Sequence, residues 1–295
     1  MMKEIQVKSI LNKHKKRDEW FLDDYSVNPY SGCSFNCIYC YIRGSKYGEN
    51  MAKAFSVKIN APELLEKQLS RRAKKKEYGI IALSSATEPY MAIEEKLKLT
   101  RRLLEIILKY KFPVEIATKS KLVLRDLDIL KEIDEKAILP ADLKLKLKHR
   151  VIISFSISTL DEKLAKIVEP GAPAPMKRLE TMKKCKEEGF FTGICFIPVL
   201  PFLSDSEEQL DETIKTVKEY GADFIFVGGL TLFGNGVTDS KTLYYKFLEK
   251  HYPELLPKYK KLYRIFFAPP KEYQNKLERK SRILCEKYGI KNRII

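Results

Sequence analysis

Short apolar runs alternate with long amphipathic stretches through most of this chain, and this alternation constrains its fold more than any other feature. The apolar runs are rich in Ile, Val and Phe and are bounded by Gly, Pro and Ser, so they predict β-strands. Because stretches of helical length separate them, the pattern indicates βα units around a parallel sheet. Six such units predict an α/β fold, a (β/α)6 partial barrel. The predicted strands are 26–30, 79–84, 114–118, 151–157, 193–199 and 223–227, and the predicted helices are 62–75, 93–110, 122–136, 176–188 and 206–220.

Three cysteines, Cys33, Cys37 and Cys40, lie within eight residues in a chain that has only six. Their spacing, CxxxCxxC, can supply three ligands to a cubane iron-sulfur cluster and leaves the fourth iron without a protein ligand. A structural zinc site is disfavoured because it needs four ligands, and the nearest histidine, His14, lies nineteen residues upstream of Cys33. A disulfide is disfavoured because one thiol would stay unpaired and the charged N-terminus has no secretory pattern. The triplet therefore favours a cluster with one open iron.

The triplet, with Tyr39 directly before its third cysteine, resembles the signature of the radical S-adenosylmethionine (radical SAM) superfamily. Residues 25–227 are similar to the branch that includes spore photoproduct lyase and its uncharacterised relatives. The resemblance implies a [4Fe-4S] cluster and S-adenosyl-L-methionine (SAM) as cofactors, with SAM cleaved reductively to a 5'-deoxyadenosyl radical that acts on a substrate. It also implies the same partial barrel of the radical SAM type, and an electron donor of the ferredoxin or flavodoxin class.

The resemblance implies cofactor contacts at the ends of the predicted strands, where ligands collect in parallel βα folds. Tyr39 would lie against the adenine, although it could also simply pack the loop. Ser85, Thr87 and Glu88 resemble the polar segment that binds the amino group of the methionine moiety. The alternative is that Ser85 or Thr87 caps a helix.

Further contacts are implied after the third and fourth predicted strands. Lys119 resembles the lysine that approaches the methionyl carboxylate, and a solvated surface lysine is the alternative. Ser156 resembles the strand-end serine near the cofactor ribose, and Ser158 shares its face because alternate strand residues point the same way. Arg178, which follows the sequence Glu169-Pro170-Gly171, could clamp a carboxylate or a phosphate.

Two residues are candidates for the radical chemistry. Tyr41 matches one of the two tyrosines that flank the third cysteine in the lyase, where they are implicated in relaying a radical. The lyase also has a hydrogen-donating cysteine where this chain has Ser85, and an alcohol O–H bond is too strong to replace it, which puts thymine-dimer reversal in doubt. Cys195 could substitute if it points into the barrel, and otherwise it is a small buried hydrophobe. Cys185 and Cys285 are expected to pack.

The chain carries 55 basic and 39 acidic residues, a net charge of +16. Fifteen Lys or Arg against five Glu fall within residues 241–295. The same segment contains Tyr244, Tyr245, Tyr252, Tyr259, Tyr263, Tyr273 and Tyr288. Basic and aromatic groups on one surface could hold phosphates and stack bases, so nucleic acid is a possible partner. The alternative is a thermophile-like composition whose charges form solvated networks.

The patterning predicts three regions: a basic N-terminal extension at 1–24, the radical SAM barrel at 25–238, and a helical, Tyr- and Lys-rich C-terminal extension at 239–295 packed on the barrel. Polar residues and prolines interrupt the longest apolar run, 189–203, so no membrane span or membrane partner is expected. We expect a soluble, cytoplasmic protein, because a reducing compartment suits free thiolates and an oxygen-sensitive cluster.

Three functions remain open from the sequence. The first is a radical SAM enzyme, of unassigned lyase or transferase class, that acts on an unidentified substrate. The second is a DNA lyase of the spore-photoproduct type. The third is a non-catalytic iron-sulfur protein that binds nucleic acid.

Overall fold

The strands of the protein form two sheets. A computed structural model describes residues 3–45, 48 and 55–295. Residues 1–2 of the predicted N-terminal extension, and 46–47 and 49–54 of the predicted barrel, lie outside the described residues. The strands are β1 (Lys3–Ile5), β2 (Leu11–Lys13), β3 (Asp23–Val27), β4 (Tyr30–Ser31), β5 (Ser56–Lys58), β6 (Ile80–Leu83), β7 (Val114–Thr118), β8 (Val151–Ile157), β9 (Phe191–Val199) and β10 (Phe224–Gly229).

The helices mostly separate consecutive strands, as the alternating pattern predicts. Within the described part of the chain, no helix combines the length and the apolar character needed to cross a membrane. The α-helices are α1 (Ala61–Lys74), α2 (Glu94–Leu97), α3 (Leu99–Lys109), α4 (Leu127–Lys136), α5 (Glu162–Val168), α6 (Pro175–Glu187), α7 (Glu207–Glu219), α8 (Ser240–His251), α9 (Leu256–Leu262) and α10 (Lys271–Tyr288), with 3₁₀ turns at Lys121–Asp126 and Pro253–Leu255.

The larger sheet is the wall of a partial barrel. Its six parallel strands follow chain order, β3-β6-β7-β8-β9-β10, and helices connect most of them. Strand β2 pairs antiparallel with β3 at one edge, with Leu11 opposite Val27. At the other edge Phe224 forms a parallel bridge with Lys291. The predicted (β/α)6 partial barrel is therefore confirmed, and chain from outside the βα units covers both edge strands.

The two faces of the wall differ because alternate strand residues point in opposite directions. On β8, Val151, Ile153 and Phe155 pack into the main core between the sheet and the helices. Ile152 belongs instead to a separate apolar cluster that includes Phe224. The wall thus divides a core on the helix side from the barrel interior, into which the residues between the core positions project.

Some predicted boundaries were wrong. The first strand is Asp23–Val27 rather than 26–30, and Tyr30 belongs to β4, which pairs with β5 in a small sheet of order β1-β5-β4. The predicted helix 93–110 is divided at Lys98, whose backbone is left-handed with φ of 49°. A carboxylate of α2 accepts a backbone hydrogen bond from the start of α3 at 2.9 Å, which holds this break. The predicted helix 122–136 begins as a 3₁₀ turn.

The C-terminal residues 239–295 are mainly helical, and α10 lies against α7 and β10. Tyr244, Tyr259 and Tyr263 are at most 1 % exposed. The hydroxyls of Tyr244 and Tyr259 lie 3.1 Å apart, and the Tyr263 hydroxyl donates to the Leu230 carbonyl oxygen at 2.9 Å. The prediction that these tyrosines stack bases at a surface is wrong for these three, because they are core residues.

Candidate active site

The three cysteines of the triplet lie on one loop that follows β4. Cys37 is buried, Cys33 and Cys40 are half-buried, and all three are free thiols. Burial raises the pKa of Cys33 and of Cys37 to about 12. These thiols are therefore protonated at neutral pH, and a metal centre would have to displace their protons.

The chain that follows α5 holds the cysteine loop in place. The Ile38 amide donates to the Val168 carbonyl oxygen and the Gly171 amide donates to the Phe35 carbonyl oxygen, each at 3.0 Å. A Cβ atom at Gly171 would lie 2.4 Å from the Ser34 carbonyl oxygen. Only glycine permits this close approach of two backbones.

A buried polar network joins the loop to the end of β8, with Glu169 at its centre. One Glu169 carboxylate oxygen accepts from the Tyr39 hydroxyl and, at 3.0 Å, from the Ser158 hydroxyl. The other pairs with Arg178, which also donates to the Ser156 carbonyl oxygen at 2.8 Å. Glu169 and Arg178 are each 1 % exposed. We expected Arg178 to clamp a ligand, whereas the partners found for it are groups of the protein itself, so it positions Glu169.

Lys119 follows β7, and its ammonium group lies near this network and near the cysteine loop. The side chain is half-buried and forms no hydrogen bond or close ion pair with any described residue. Burial would lower the pKa of Lys119, but the charges of Glu169 and Cys37 outweigh burial and raise it. Conversely, burial would raise the pKa of Glu169, and the charges of Lys119 and Arg178 lower it. Lys119 therefore keeps a charged group available beside the loop.

The segment after β6 carries buried hydroxyls that have no partner. Ser84 has a left-handed backbone with φ of 66°, and the hydroxyls of Ser84 and Thr87 are buried without a hydrogen-bond partner among the described residues. Glu88 is 5 % exposed and accepts from the Thr118 hydroxyl at 2.5 Å and from the Lys119 amide at 3.0 Å. Burial raises the pKa of Glu88. Neither Ser85 nor Thr87 caps a helix, since α2 begins farther along without a side-chain cap.

Ser85 and Tyr41 meet at the exposed rim of this region. The Tyr41 hydroxyl donates to the Ser85 carbonyl oxygen, and the Tyr41 side chain is 47 % exposed. The Asn28 side chain donates to the Ser85 hydroxyl at 3.3 Å and accepts from the Ala86 amide at 2.9 Å. Asn28, which follows β3, thus ties the first strand end to the segment after β6.

Hydrogen-atom donation by Cys195 requires that its thiol points into the barrel, and the strand register shows that it does. In the parallel pair β8 and β9, Ser156 stands in register with Cys195. Register partners in a sheet project to the same face, so Cys195 points into the barrel beside Ser156. It is 3 % exposed, whereas Ser156 is half-buried. Cys185 and Cys285 lie in the core on the helix side, as expected.

The structure brings the predicted site residues together in two groups. Tyr39, Ser158 and Arg178 surround Glu169, and the second group follows β3 and β6. Lys119 connects the groups, since its charge interacts with both Glu169 and Glu88. The sequence interpretation gave Glu169 no role, although its position shortly before Arg178 in a motif after the fourth strand was a usable signal. The second group contains the predicted residues Ser85, Thr87 and Glu88 with Tyr41 of the cysteine loop, and it also includes Asn28, which the sequence did not predict.

Three comparisons place this chain among known proteins. A family model described as the Radical SAM superfamily matches residues 27–215. An uncharacterized protein of Mycobacterium tuberculosis is 29 % identical over 272 residues, which are 90 % of this chain and 75 % of the relative. One from Methanocaldococcus jannaschii is 30 % identical over 233 residues, 78 % and 77 % of the two chains.

Among solved structures, a spore photoproduct lyase variant with bound AdoMet and dinucleoside spore photoproduct is similar to this chain. The TM-score is 0.67 at 17 % sequence identity, and the match covers 97 % of this chain and 78 % of the other. At this identity the likeness shows a shared fold.

Proposed function

The chain belongs to the radical SAM superfamily and is an enzyme, and from this premise we propose that it cleaves SAM reductively at a [4Fe-4S] cluster held by Cys33, Cys37 and Cys40. The observation that carries the proposal is the position of these free thiols on one anchored loop beside the uncommitted ammonium of Lys119. When bound, the cofactors supply the electron transfer and bond cleavage that lead to hydrogen-atom abstraction from a substrate.

The cysteine loop fits a cluster better than it fits a single ion. No three His, Cys, Asp or Glu side chains within the described residues are close enough together to hold one metal ion. A cubane cluster binds its cysteines at separate corners, so its ligands stand farther apart than the four ligands of a zinc ion. Free thiols that are spread along one loop are consistent with the wider arrangement.

The methionine end of SAM is assigned to the ends of β6 and β7. Lys119 offers an ammonium group to the methionyl carboxylate, because no described residue forms a hydrogen bond or a close ion pair with it. The unpartnered hydroxyls of Ser84 and Thr87 offer acceptors to the methionyl ammonium, and we infer that Glu88 and Ser85 complete this contact. Buried polar atoms without partners are uncommon in folded proteins, which supports a ligand here.

The adenosine end is assigned to Tyr39, Ser156 and Ser158. The hydroxyls of Tyr39 and Ser158 are both occupied by Glu169, so the ring face of Tyr39 is what it offers to an adenine. Ser156 carries a half-buried hydroxyl at the interior end of β8. Arg178 contributes by holding Glu169 in place, and it does not touch the cofactor.

We assign hydrogen-atom donation to Cys195 and contact with the substrate to Tyr41. Cys195 carries the one thiol outside the triplet that projects into the barrel, among residues that the structure describes. Tyr41 is exposed at the rim, where a substrate would enter. Repair of the spore-photoproduct type is not favoured, because Ser85 stands where the lyase has its donor thiol.

The substrate class is proposed from the surface. Phe266 and Phe267 are 68 % and 52 % exposed in the C-terminal extension, whose net charge is strongly positive. Exposed rings in a basic region suit a nucleic acid, and the lyase neighbour carries a dinucleoside. The six free cysteines support a reducing, cytoplasmic setting and an electron donor of the ferredoxin or flavodoxin class.

The proposal is tested by anaerobic reconstitution with iron and sulfide, followed by incubation with SAM and dithionite. We expect 5'-deoxyadenosine and methionine in equal amounts, and no products from protein that has not been reconstituted. A protein that binds iron and sulfide fully and still forms neither product would contradict the proposal.

A further inference from the structure

Two polar groups inside the barrel have no partner and no role in the site described so far. Glu115 on β7 is 2 % exposed and Ser154 on β8 is fully buried. One carboxyl oxygen of Glu115 and the Ser154 hydroxyl make no hydrogen bond to any described residue. Because burying an unpaired polar group costs about 1–3 kcal/mol in proteins, two adjacent ones require an explanation.

Strand register places Ser154 close to Cys195. Ser154 lies two positions before Ser156 on β8, so both point into the barrel, and Ser156 stands in register with Cys195. The register partner of Ser154 on β9 is Gly193, over which the ring of Phe224 lies. Burial raises the pKa of Glu115 and of Cys195, and the Ser154 hydroxyl opposes the rise at both. Glu115 stands in register with Ile152, two positions before Ser154 on the same face, so the hydroxyl lies diagonally between the carboxyl group and the thiol.

Glu115 is a neutral carboxylic acid in this setting. Burial raises its pKa far above the ordinary value, and the carboxylates of Asp23 and Asp18 raise it further. Neither of the other groups that face it, Cys195 and Ser154, carries a positive charge. A neutral carboxylic acid has a proton to give, which a carboxylate has not.

A route from solvent reaches the same place. His14 has a side chain that is 29 % exposed, and its Nδ1 lies 2.9 Å from a carboxylate oxygen of Asp23. The other ring nitrogen lies 3.2 Å from the Ser26 hydroxyl. Asp23 is 5 % exposed and its charge interacts with Glu115. The partly exposed His14 is thus linked through Asp23 to the buried acid.

We propose that Glu115 supplies a proton to Cys195 through the Ser154 hydroxyl. This inference rests on the proposed function, in which the Cys195 S–H bond breaks, a C–H bond forms on a carbon-centred radical in the barrel, and a sulfur radical remains. One electron from the ferredoxin- or flavodoxin-class donor reduces the sulfur radical to a thiolate. The Glu115 proton then restores the thiol, and His14 and Asp23 return a proton to Glu115.

Infrared difference spectroscopy of the cofactor-free protein tests the pair independently of turnover. The spectrum of the wild-type protein minus that of Glu115→Gln is expected to show the C=O band of a protonated carboxylic acid. This band should persist in the wild-type protein at pH 8. The spectrum of the wild-type protein minus that of Cys195→Ser isolates the S–H band of Cys195. The frequency of this band should shift in the Glu115→Gln and Ser154→Ala variants. The exposed Glu105→Gln variant is the control and should change neither band.

A carboxylate band from Glu115 at pH 8, or a Cys195 S–H band that is the same in all these variants, would overturn the inference. If Glu115→Gln does not fold, the wild-type spectrum at pH 8 and Ser154→Ala still decide the question. Failure of SAM cleavage with these bands as expected would reject the proposed function and leave the arrangement of Glu115, Ser154 and Cys195 in place. Solvent deuterium in 5'-deoxyadenosine, formed in D₂O without substrate, should fall in Cys195→Ser and stay at the wild-type level in Cys185→Ser.

Discussion

The cysteine loop and the C-terminal extension are held to the barrel in different ways. The loop packs Phe35, Cys37 and Tyr39 into the apolar cluster that it shares with the extension, and polar contacts between distant residues fix it further, such as the one between Tyr39 and Glu169, which are 130 positions apart. The C-terminal extension depends on packing, in which the rings of Tyr259 and Tyr263 stack with centroids 5.9 Å apart in a shared apolar cluster. Changes of a few atoms should therefore be decisive at the loop, whereas the extension should tolerate them at modest cost.

Removal of one loop thiol should have the largest effect. Cys33→Ala, Cys37→Ala and Cys40→Ala are each expected to abolish SAM cleavage, because a cubane cluster with two protein ligands is poorly held. Iron and sulfide content after anaerobic reconstitution, together with 5'-deoxyadenosine formation, measures this. Cys185→Ala, in the core on the helix side, is the matched control and should keep both. Full activity in any of the three variants would refute the assigned role.

Gly171→Ala should have the next largest effect, because it adds one carbon atom where the backbones of Gly171 and Ser34 come close together. The new Cβ would lie 2.4 Å from the Ser34 carbonyl oxygen, so the loop must move. We expect a loss of about 1–3 kcal/mol in the free energy of unfolding, as in other overpacked sites, together with reduced iron content. At Gly229 the nearest atoms to an added Cβ lie at 3.9 Å, so Gly229→Ala is the control. Equal iron content in the two variants would show that the close backbone approach at Gly171 does not hold the loop in its cluster-binding position.

Tyr259→Phe probes the extension with a smaller change. Its hydroxyl donates to the Pro201 carbonyl oxygen and lies 3.1 Å from the Tyr244 hydroxyl. Loss of this buried hydroxyl should lower the free energy of unfolding by about 1–2 kcal/mol while the stacked rings remain. Denaturant unfolding measures the loss, and Tyr245→Phe, at a half-buried ring, should change it little. Weaker nucleic-acid binding in Tyr259→Phe than in Tyr245→Phe would contradict the assignment of Tyr259 to the core.

The last prediction concerns pH. Burial raises the pKa of Asp23 from 3.8 to about 6 in the folded protein. Between these values the unfolded chain has released the proton and the folded chain has kept it, so stability should fall as pH rises from about 4 to about 6. The slope contributed by one group is at most about 1.4 kcal/mol per pH unit. Asp23→Asn should remove this contribution in urea unfolding curves, whereas Glu105→Gln should not. Parallel wild-type and Asp23→Asn profiles would contradict the shift.

The sequence predicted what depends on local periodicity and on spacing. Strand and helix alternation is a property of neighbouring residues, so it identified the barrel, and the cysteine spacing identified the loop. It did not predict that Lys98 would interrupt a helix, because this break depends on a contact of Glu94. The sequence did not predict the protein partners of Arg178, since Glu169 meets it only in the folded chain.

Composition was a weaker guide than spacing. The number of tyrosines in the C-terminal extension does not show which of them face solvent, and three of them proved to be core residues. No sequence pattern predicts a role for Glu115, because a single charged residue in an apolar run has no partner in sequence. Its importance follows from β7, β8 and β9 lying side by side, which brings it to Ser154 and Cys195.

Electron paramagnetic resonance of the reconstituted, reduced protein, with and without SAM, is the most direct test of the central claim. That claim is that Cys33, Cys37 and Cys40 leave one iron of a cluster open to SAM. We predict the signal of a reduced [4Fe-4S] cluster, and a change in that signal when SAM is added. A signal that SAM leaves unaltered, or stoichiometric zinc without sulfide, would contradict the account.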